Sequence, residues 1–178
     1  MAKRVNELGR QLASDYERKA PLVVTTLKGA TMFMADLVRA MDPCPPGLTT
    51  DYVRVSSYGA GVVSSGQISF TSLGADARDR HVLVLEDIVD TGLTVSYLVE
   101  HFKSQGARSV AVVAVLNKPG KRPPGGVEPD YWCFELLDDA FVVGYGMDYN
   151  EMYRSLPYVG VLCEEAIKRG GEEVLPEA

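Results

Sequence analysis

The sequence predicts one α/β domain built on a mainly parallel central sheet flanked by helices. Three observations carry this. Continuous apolar runs at 22–27, 81–85 and 109–116 read as strands buried on both faces. Segments with apolar residues at helical spacing, 30–41 and 94–105, lie in the connections. The length, 178 residues, is that of about one domain, large enough to bury a core without disulfides or a structural metal.

In chain order, Val5, Leu8, Leu12 and Tyr16 fall on one helical face, so 3–19 reads as an amphipathic helix that Ala20-Pro21 ends. The β-branched run 22–27 follows as a strand. Residues 30–41 are apolar on nearly every side and read as a buried helix, stopped by the Pro-rich 42–47. Residues 51–57 and 67–72 alternate and read as two antiparallel strands around a Gly/Ser-rich loop. This hairpin, with flanks spanning about 56–78, is expected to hang over the sheet as a flexible lid. Strand 81–85, helix 94–105 and strand 109–116 have βαβ spacing, with Gly106 closing the helix. A Pro/Gly loop at 119–129 precedes short strands at 131–134, 141–143 and 158–162, and the tail 168–178 reads as frayed. No repeat or linker divides the chain, so 1–178 is expected to be a single domain.

Composition narrows the function. Lys plus Arg number 18 against 24 Asp plus Glu, a net charge of −6 that disfavours nucleic acid as a partner. No apolar run approaches the ~20 residues of a membrane span, and the charged start lacks the apolar core of a signal peptide. The expected location is therefore the cytoplasm, without a membrane partner. Cys44, Cys133 and Cys163 form no CxxC pair and read as reduced, mostly buried thiols. There is no P-loop and no GxGxxG after a strand. The two histidines, His81 and His101, stand in no HExxH, so a zinc or Ser-His-Asp site has little to work with.

In open parallel sheets ligands sit at the carboxyl ends of the strands. After 22–27 come Lys28 and Gly29, where a helix N-terminus suits an anion; an ordinary strand-to-helix turn with a solvated lysine is the alternative. After 81–85 come Glu86, Asp87, Asp90, Thr91, Gly92, Leu93 and Thr94. Backbone N–H groups, Thr hydroxyls and a close-approach glycine suit a phosphate, and the carboxylates before them suit ribose hydroxyls or Mg²⁺. A helix start with Asp90 or Thr91 as N-cap is the alternative, but a cap does not need three acids at a strand end. Together these elements suggest a sugar phosphate with magnesium. After 109–116, Lys118 can only donate hydrogen bonds, and at a ligand it would favour a carbonyl over an amino group. Phe141 and Asp148 flank the last motif; core aromatic and turn acid are their alternatives.

The segment 82–94, VLVLEDIVDTGLT, resembles the ribose-phosphate motif of type I phosphoribosyltransferases. Four further segments, LKGA (27–30), VSSYG (55–59), LNKP (116–119) and FVVGYGMDYNEMYR (141–154), resemble hypoxanthine-guanine phosphoribosyltransferases in order and spacing. The resemblance runs from about Val5 to Leu162. It implies the type I phosphoribosyltransferase fold, with a small hood beside the sheet. The implied reaction joins hypoxanthine or guanine to 5-phosphoribosyl 1-diphosphate (PRPP), giving IMP or GMP and diphosphate. It further implies two Mg²⁺ ions in the full complex and a homodimer or homotetramer.

Residue by residue, the resemblance places the 5′-phosphate on Asp90, Thr91, Gly92, Leu93 and Thr94, with Asp90 as the acid or base at purine N7. Glu86 and Asp87 hold the ribose hydroxyls directly or through Mg²⁺. Lys28, after a Leu-Lys peptide that can be cis, Gly29 and Arg154 hold the diphosphate, and Ser57 and Tyr58 lie on the lid. Lys118 donates to purine O6, Phe141 stacks on the ring, the Val142 backbone meets its edge, and Asp148 helps hold a second Mg²⁺. Family members often carry an additional stretch before the first helix, whereas this chain begins almost at it. The competing reading is a PRPP-sensing nucleic-acid regulator on the same fold, which the net charge disfavours. Xanthine remains open as a base. Adenine fits poorly because Lys118 would meet its amino group donor to donor.

Overall fold

Six strands form the central sheet of the computed structural model, which describes residues 1–57, 68–72, 74 and 76–168. They are β1 (Leu22–Leu27), β2 (Thr49–Ser57), β3 (Ile68–Ser72), β4 (His81–Val89), β5 (Ser109–Asn117) and β6 (Tyr131–Glu135), in the order β3-β2-β1-β4-β5-β6. Every neighbouring pair is parallel except β2 and β3, which run antiparallel from Val53↔Ser72 to Ser57↔Ile68. These two are the arms of the expected hairpin. Its connection, 58–67 with Tyr58, lies outside the described residues, as does the Ser57 side chain. The tail 169–178 lies outside them too.

Helices cover both faces. On one side α1 (Ala2–Asp15) and α2 (Thr31–Ala40) bury Val5, Leu8, Leu12, Phe33 and Leu37 against Val23, Leu83, Leu85, Val113 and Val115. On the other, α3 (Leu93–Ser104) sets Leu98 and Phe102 against Leu22, Val24, Val82 and Val84. Successive strand residues therefore feed opposite layers, which is why these strands are apolar throughout rather than alternating. Each fully buried Leu or Phe of these layers contributes about 1.5–3 kcal/mol relative to exposure. A two-stranded antiparallel ladder, β7 (Val142–Val143) with β8 (Gly160–Val161), corresponds to the hood. At the outer margin of the sheet, Arg4 of α1 donates from Nε to the Cys133 carbonyl at 3.0 Å and from Nη2 to the Trp132 carbonyl at 2.9 Å.

Some boundaries differ from the sequence reading. The first helix ends at Asp15, and a last short helix, α4 (Glu164–Lys168), was not expected. The first strand of the βαβ unit, β4, runs to Val89 instead of stopping at Leu85. The acids at 86 and 87 interrupt the apolar pattern, but the backbone goes on pairing with β5. The three cysteines are free, as expected, but only Cys133 is buried; Cys44, in a Pro-rich turn, and Cys163, after β8, are exposed. Among the described residues no helix is long and apolar enough to cross a membrane.

Candidate active site

The strand order reverses direction between β1 and β4, and a crevice opens at their carboxyl ends. Pairing between them stops at Thr25↔Leu85, whereas β4 stays paired with β5 as far as Val89↔Asn117. Glu86 and Asp87 lie just past the point where β1 leaves. Strand alternation sends them to opposite faces of the sheet. Glu86 turns toward Thr26, whose hydroxyl donates to its Oε2 at 2.6 Å. Its Oε1 is buried without a partner. Burial, then the neighbouring Asp87 charge, pushes the Glu86 carboxyl up to about 8, against the pull of the Thr26 hydrogen bond. A buried carboxyl with one unused oxygen is a ready acceptor for a hydroxyl or for a cation's water.

Asp87 turns the other way, against the loop after β1. A Cβ on Gly29 would stand 1.7 Å from Asp87 Oδ2, so only glycine lets this carboxylate lie on the backbone there. Asp87 Oδ1 accepts the Ile88 N–H at 2.8 Å. Burial raises its pKa above the usual range, opposed by that N–H and by Arg154, while Asp148 adds to the rise. The Leu27–Lys28 peptide beside it is cis, as the resemblance implied.

Over this loop the segment after β7 brings in Asp148 and Arg154. Arg154 Nη2 lies 2.8 Å from Asp148 Oδ1 and 3.3 Å from Glu151 Oε1, and Nη1 donates to the Gly146 carbonyl at 2.8 Å. Lys28 Nζ donates to Glu151 Oε2 at 2.7 Å. The sequence-selected Lys28, Gly29, Asp87, Asp148 and Arg154 thus converge. Glu151, which the sequence reading passed over, bridges the two cations. Its signal was its place three residues before Arg154 in the quoted motif.

Among the described residues no group of three or more His, Cys, Asp or Glu side chains is arranged to hold a metal ion by itself. Mg²⁺ does not need one: it takes one or two carboxylates and completes its shell with water and phosphate oxygens. The carboxylates of Asp87 and Asp148, close enough for each to feel the other's charge, are a donor pair of that kind.

The Asp90–Thr94 loop closes the other side of the crevice. Residues Ile88 to Val95 line a cavity of about 120 Å³. The N-cap of α3 is Gly92, which has no side chain to offer, in place of the Asp90 or Thr91 considered above. Its φ of +79° is left-handed, and a Cβ there would lie 2.9 Å from the Val127 carbonyl, so both conformation and space require glycine. The first turn's N–H groups precede the first intrahelical acceptor, and the Thr91 hydroxyl reaches only the Leu93 N–H, at 3.5 Å. Asp90 Oδ1 is buried without a partner. Behind this loop stands Arg122, another residue missed in the sequence. Its contacts lie 32 and 33 residues away in the chain, beyond any local pattern.

Lys118 follows β5 and is 12% exposed, so it is no solvated surface lysine. Its Nζ lies 2.8 Å from Asp139 Oδ1 and 3.3 Å from the Ala140 carbonyl. A cavity of about 310 Å³ opens beside it, lined by Lys118, Gly120, Leu137, Asp138 and Asp139. Phe141 is 49% exposed and edge-on to Tyr149 at 5.6 Å, which removes the core-aromatic alternative. The next residue, Val142, is buried and pairs with Val161.

An anion-ready helix start, paired carboxylates and two cations at the switch point of such a sheet define a class of sugar-phosphate enzyme. Residues 1–150 match the family model of the phosphoribosyl transferase domain. The hypoxanthine-guanine phosphoribosyltransferase of Bacillus subtilis is 47% identical over 161 residues, 90% of this chain and 87% of that protein. A crystal structure of a hypoxanthine phosphoribosyltransferase from Staphylococcus aureus superposes with a TM-score of 0.85 at 39% identity, covering 93% of this chain and 88% of that one. The bifunctional protein TilS/HprT of Listeria innocua is 47% identical over 166 residues, and this chain spans 25% of its length. The chain belongs to the phosphoribosyl transferase family and, within it, to the hypoxanthine-guanine phosphoribosyltransferases.

Proposed function

We propose that this chain is a purine salvage enzyme. It transfers the 5-phosphoribosyl group of PRPP to hypoxanthine or guanine, giving IMP or GMP and diphosphate. The observation that supports the reading is that Lys28, the open N-terminus of α3 and the largely buried Lys118 follow the carboxyl ends of three neighbouring parallel strands, β1, β4 and β5, with Arg154 tied to Lys28 through Glu151.

In this reading the N–H groups and hydroxyls of Asp90–Thr94 take the 5′-phosphate, and Glu86 and Asp87 take the ribose hydroxyls. Lys28 and Arg154 exchange Glu151 for the departing diphosphate. Lys118, paired with Asp139, donates to purine O6. Phe141 offers its exposed ring to the base, with the Val142 backbone at the ring edge. Asp87 and Asp148 would hold Mg²⁺, with Glu86 on the ribose side, and the ion would supply neutralisation of the diphosphate's charge. Positive charge grows on the ribose C1 as the bond to diphosphate lengthens. The protein's part is electrostatic: cations fixed beforehand where negative charge accumulates, and carboxylates flanking the sugar. Asp90 exchanges a proton with purine N7. No covalent enzyme intermediate is required.

A base panel tests this. With PRPP and Mg²⁺, nucleotide should form from hypoxanthine or guanine and not from adenine; a folded protein that turns over none of the bases would sink the reading. Lys118→Ala should raise KM for hypoxanthine about 10–100-fold, since a hydrogen bond to a charged donor is worth about 1.5–3 kcal/mol. Unchanged discrimination against adenine in that variant would remove Lys118 from O6.

A further inference from the structure

We propose that Arg122 is a positioning residue for the phosphate loop: its guanidinium fixes two successive peptide planes so that the Asp90 and Thr91 N–H groups face the phosphate cavity. This rests on the reading of Asp90–Thr94 as the 5′-phosphate site and adds the group that shapes it.

The Arg122 side chain is 4% exposed and stands behind the end of β4. Nη2 donates to the Val89 carbonyl at 3.0 Å and to Asn117 Oδ1 at 2.7 Å, and Nε donates to the Asp90 carbonyl at 3.3 Å. The Lys118 N–H holds the same Val89 carbonyl at 2.9 Å. In a trans peptide the carbonyl of one residue and the N–H of the next point in opposite directions. Drawing the Val89 and Asp90 carbonyls toward Arg122 therefore aims the Asp90 and Thr91 N–H groups away from it. That is the side where β1 has left the sheet, and the same loop, from Ile88 to Val95, lines the cavity.

One rigid fork makes all three bonds. A lysine ammonium on its flexible stem does not reproduce that geometry. The same 119–129 connection braces the loop a second time, where the Val127 carbonyl leaves no room for a Cβ on Gly92. What reads in sequence as a Pro/Gly connector is the backing plate of the phosphate loop. The remaining nitrogen, Nη1, makes no hydrogen bond, and Glu128 Oε1 is 3.7 Å from it, so the guanidinium's charge is incompletely neutralised behind an anion site.

The test compares the full chain with Arg122→Gln and Arg122→Lys. IMP and magnesium diphosphate are titrated separately by calorimetry, and KM and kcat are measured for both substrates. Both variants should bind IMP more weakly and raise KM for PRPP, by on the order of tenfold, as loss of a charge-assisted hydrogen-bonded support implies. Diphosphate affinity and KM for the base should not move, because those ligands meet Lys28, Arg154 and Lys118. Equal weakening of IMP and diphosphate would mark a merely structural residue and overturn the proposal. So would parent-like IMP binding in both variants, or full rescue by lysine. If Arg122→Gln does not fold, Arg122→Lys decides alone, since it keeps charge and most of the volume. A parent protein that neither turns over a base nor binds IMP would instead fail the functional reading itself.

Discussion

Asp90→Asn is expected to lower kcat by roughly 10²–10⁴-fold, the range for loss of a general acid or base, with the folded state and the affinity for PRPP preserved. Asparagine keeps the size of the side chain and leaves the backbone N–H groups of the loop in place. What it removes is the ability to hold or give up a proton. The unused, buried Oδ1 of Asp90 at the head of the loop makes this a clean substitution, because no hydrogen bond at that atom is broken. Single-turnover rates with hypoxanthine and PRPP measure the chemical step directly. A variant that turns over at the parent rate would take Asp90 out of the proton transfer and leave it a role through its backbone alone.

Gly29→Ala should be nearly as damaging by a different route. The added Cβ would meet Asp87 Oδ2 at 1.7 Å and Asp87 Cγ at 2.7 Å, and no neighbouring backbone atom stands among its closest contacts. The carboxylate is the part that gives way. It then leaves the Ile88 N–H and the flank of the diphosphate cluster. A displacement of about 1 Å at a reacting centre can cost about 10²-fold, so kcat/KM for PRPP should fall by that order while the melting temperature changes little. A double-mutant cycle supplies the control. If Gly29→Ala acts by displacing Asp87, it should cost almost nothing further in an Asp87→Ala background. Additive losses would mean that the methyl group disturbs the loop itself, and the importance of Asp87's position would have to be withdrawn.

The parts of this molecule that were legible in sequence are those whose cause is local. The β-branched runs at 22–27 and 109–116 became β1 and β5 because strands buried on both faces leave an unbroken apolar signature. The 86–94 segment announced itself because acids, hydroxyls and a glycine stand consecutively where a strand meets a helix. Thr26 was invisible for the opposite reason: in an apolar strand a threonine reads as a β-former, and its partner Glu86 is 60 residues away. Glu151 and Asp139 carry charge in loops, where a charge reads as solvated until the fold sets a cation beside it. The continuation of β4 through Glu86 and Asp87 was hidden because side-chain polarity and backbone pairing part company there.

The contact between Arg4 and the outermost strand bears on how the protein behaves in a crowd. An open sheet ends in a row of unpaired backbone groups, and such a row is a template for another chain, the first step toward cross-β stacking. Here Trp132 and Phe134 of β6 are each 38% exposed, so the margin is apolar as well. Successive strand carbonyls point to opposite sides, so of the two that this guanidinium holds one belongs to the free row, and the cation set there makes the margin a poorer docking rail for a neighbour. The first turn of the chain thereby helps keep the folded protein from polymerising through its sheet.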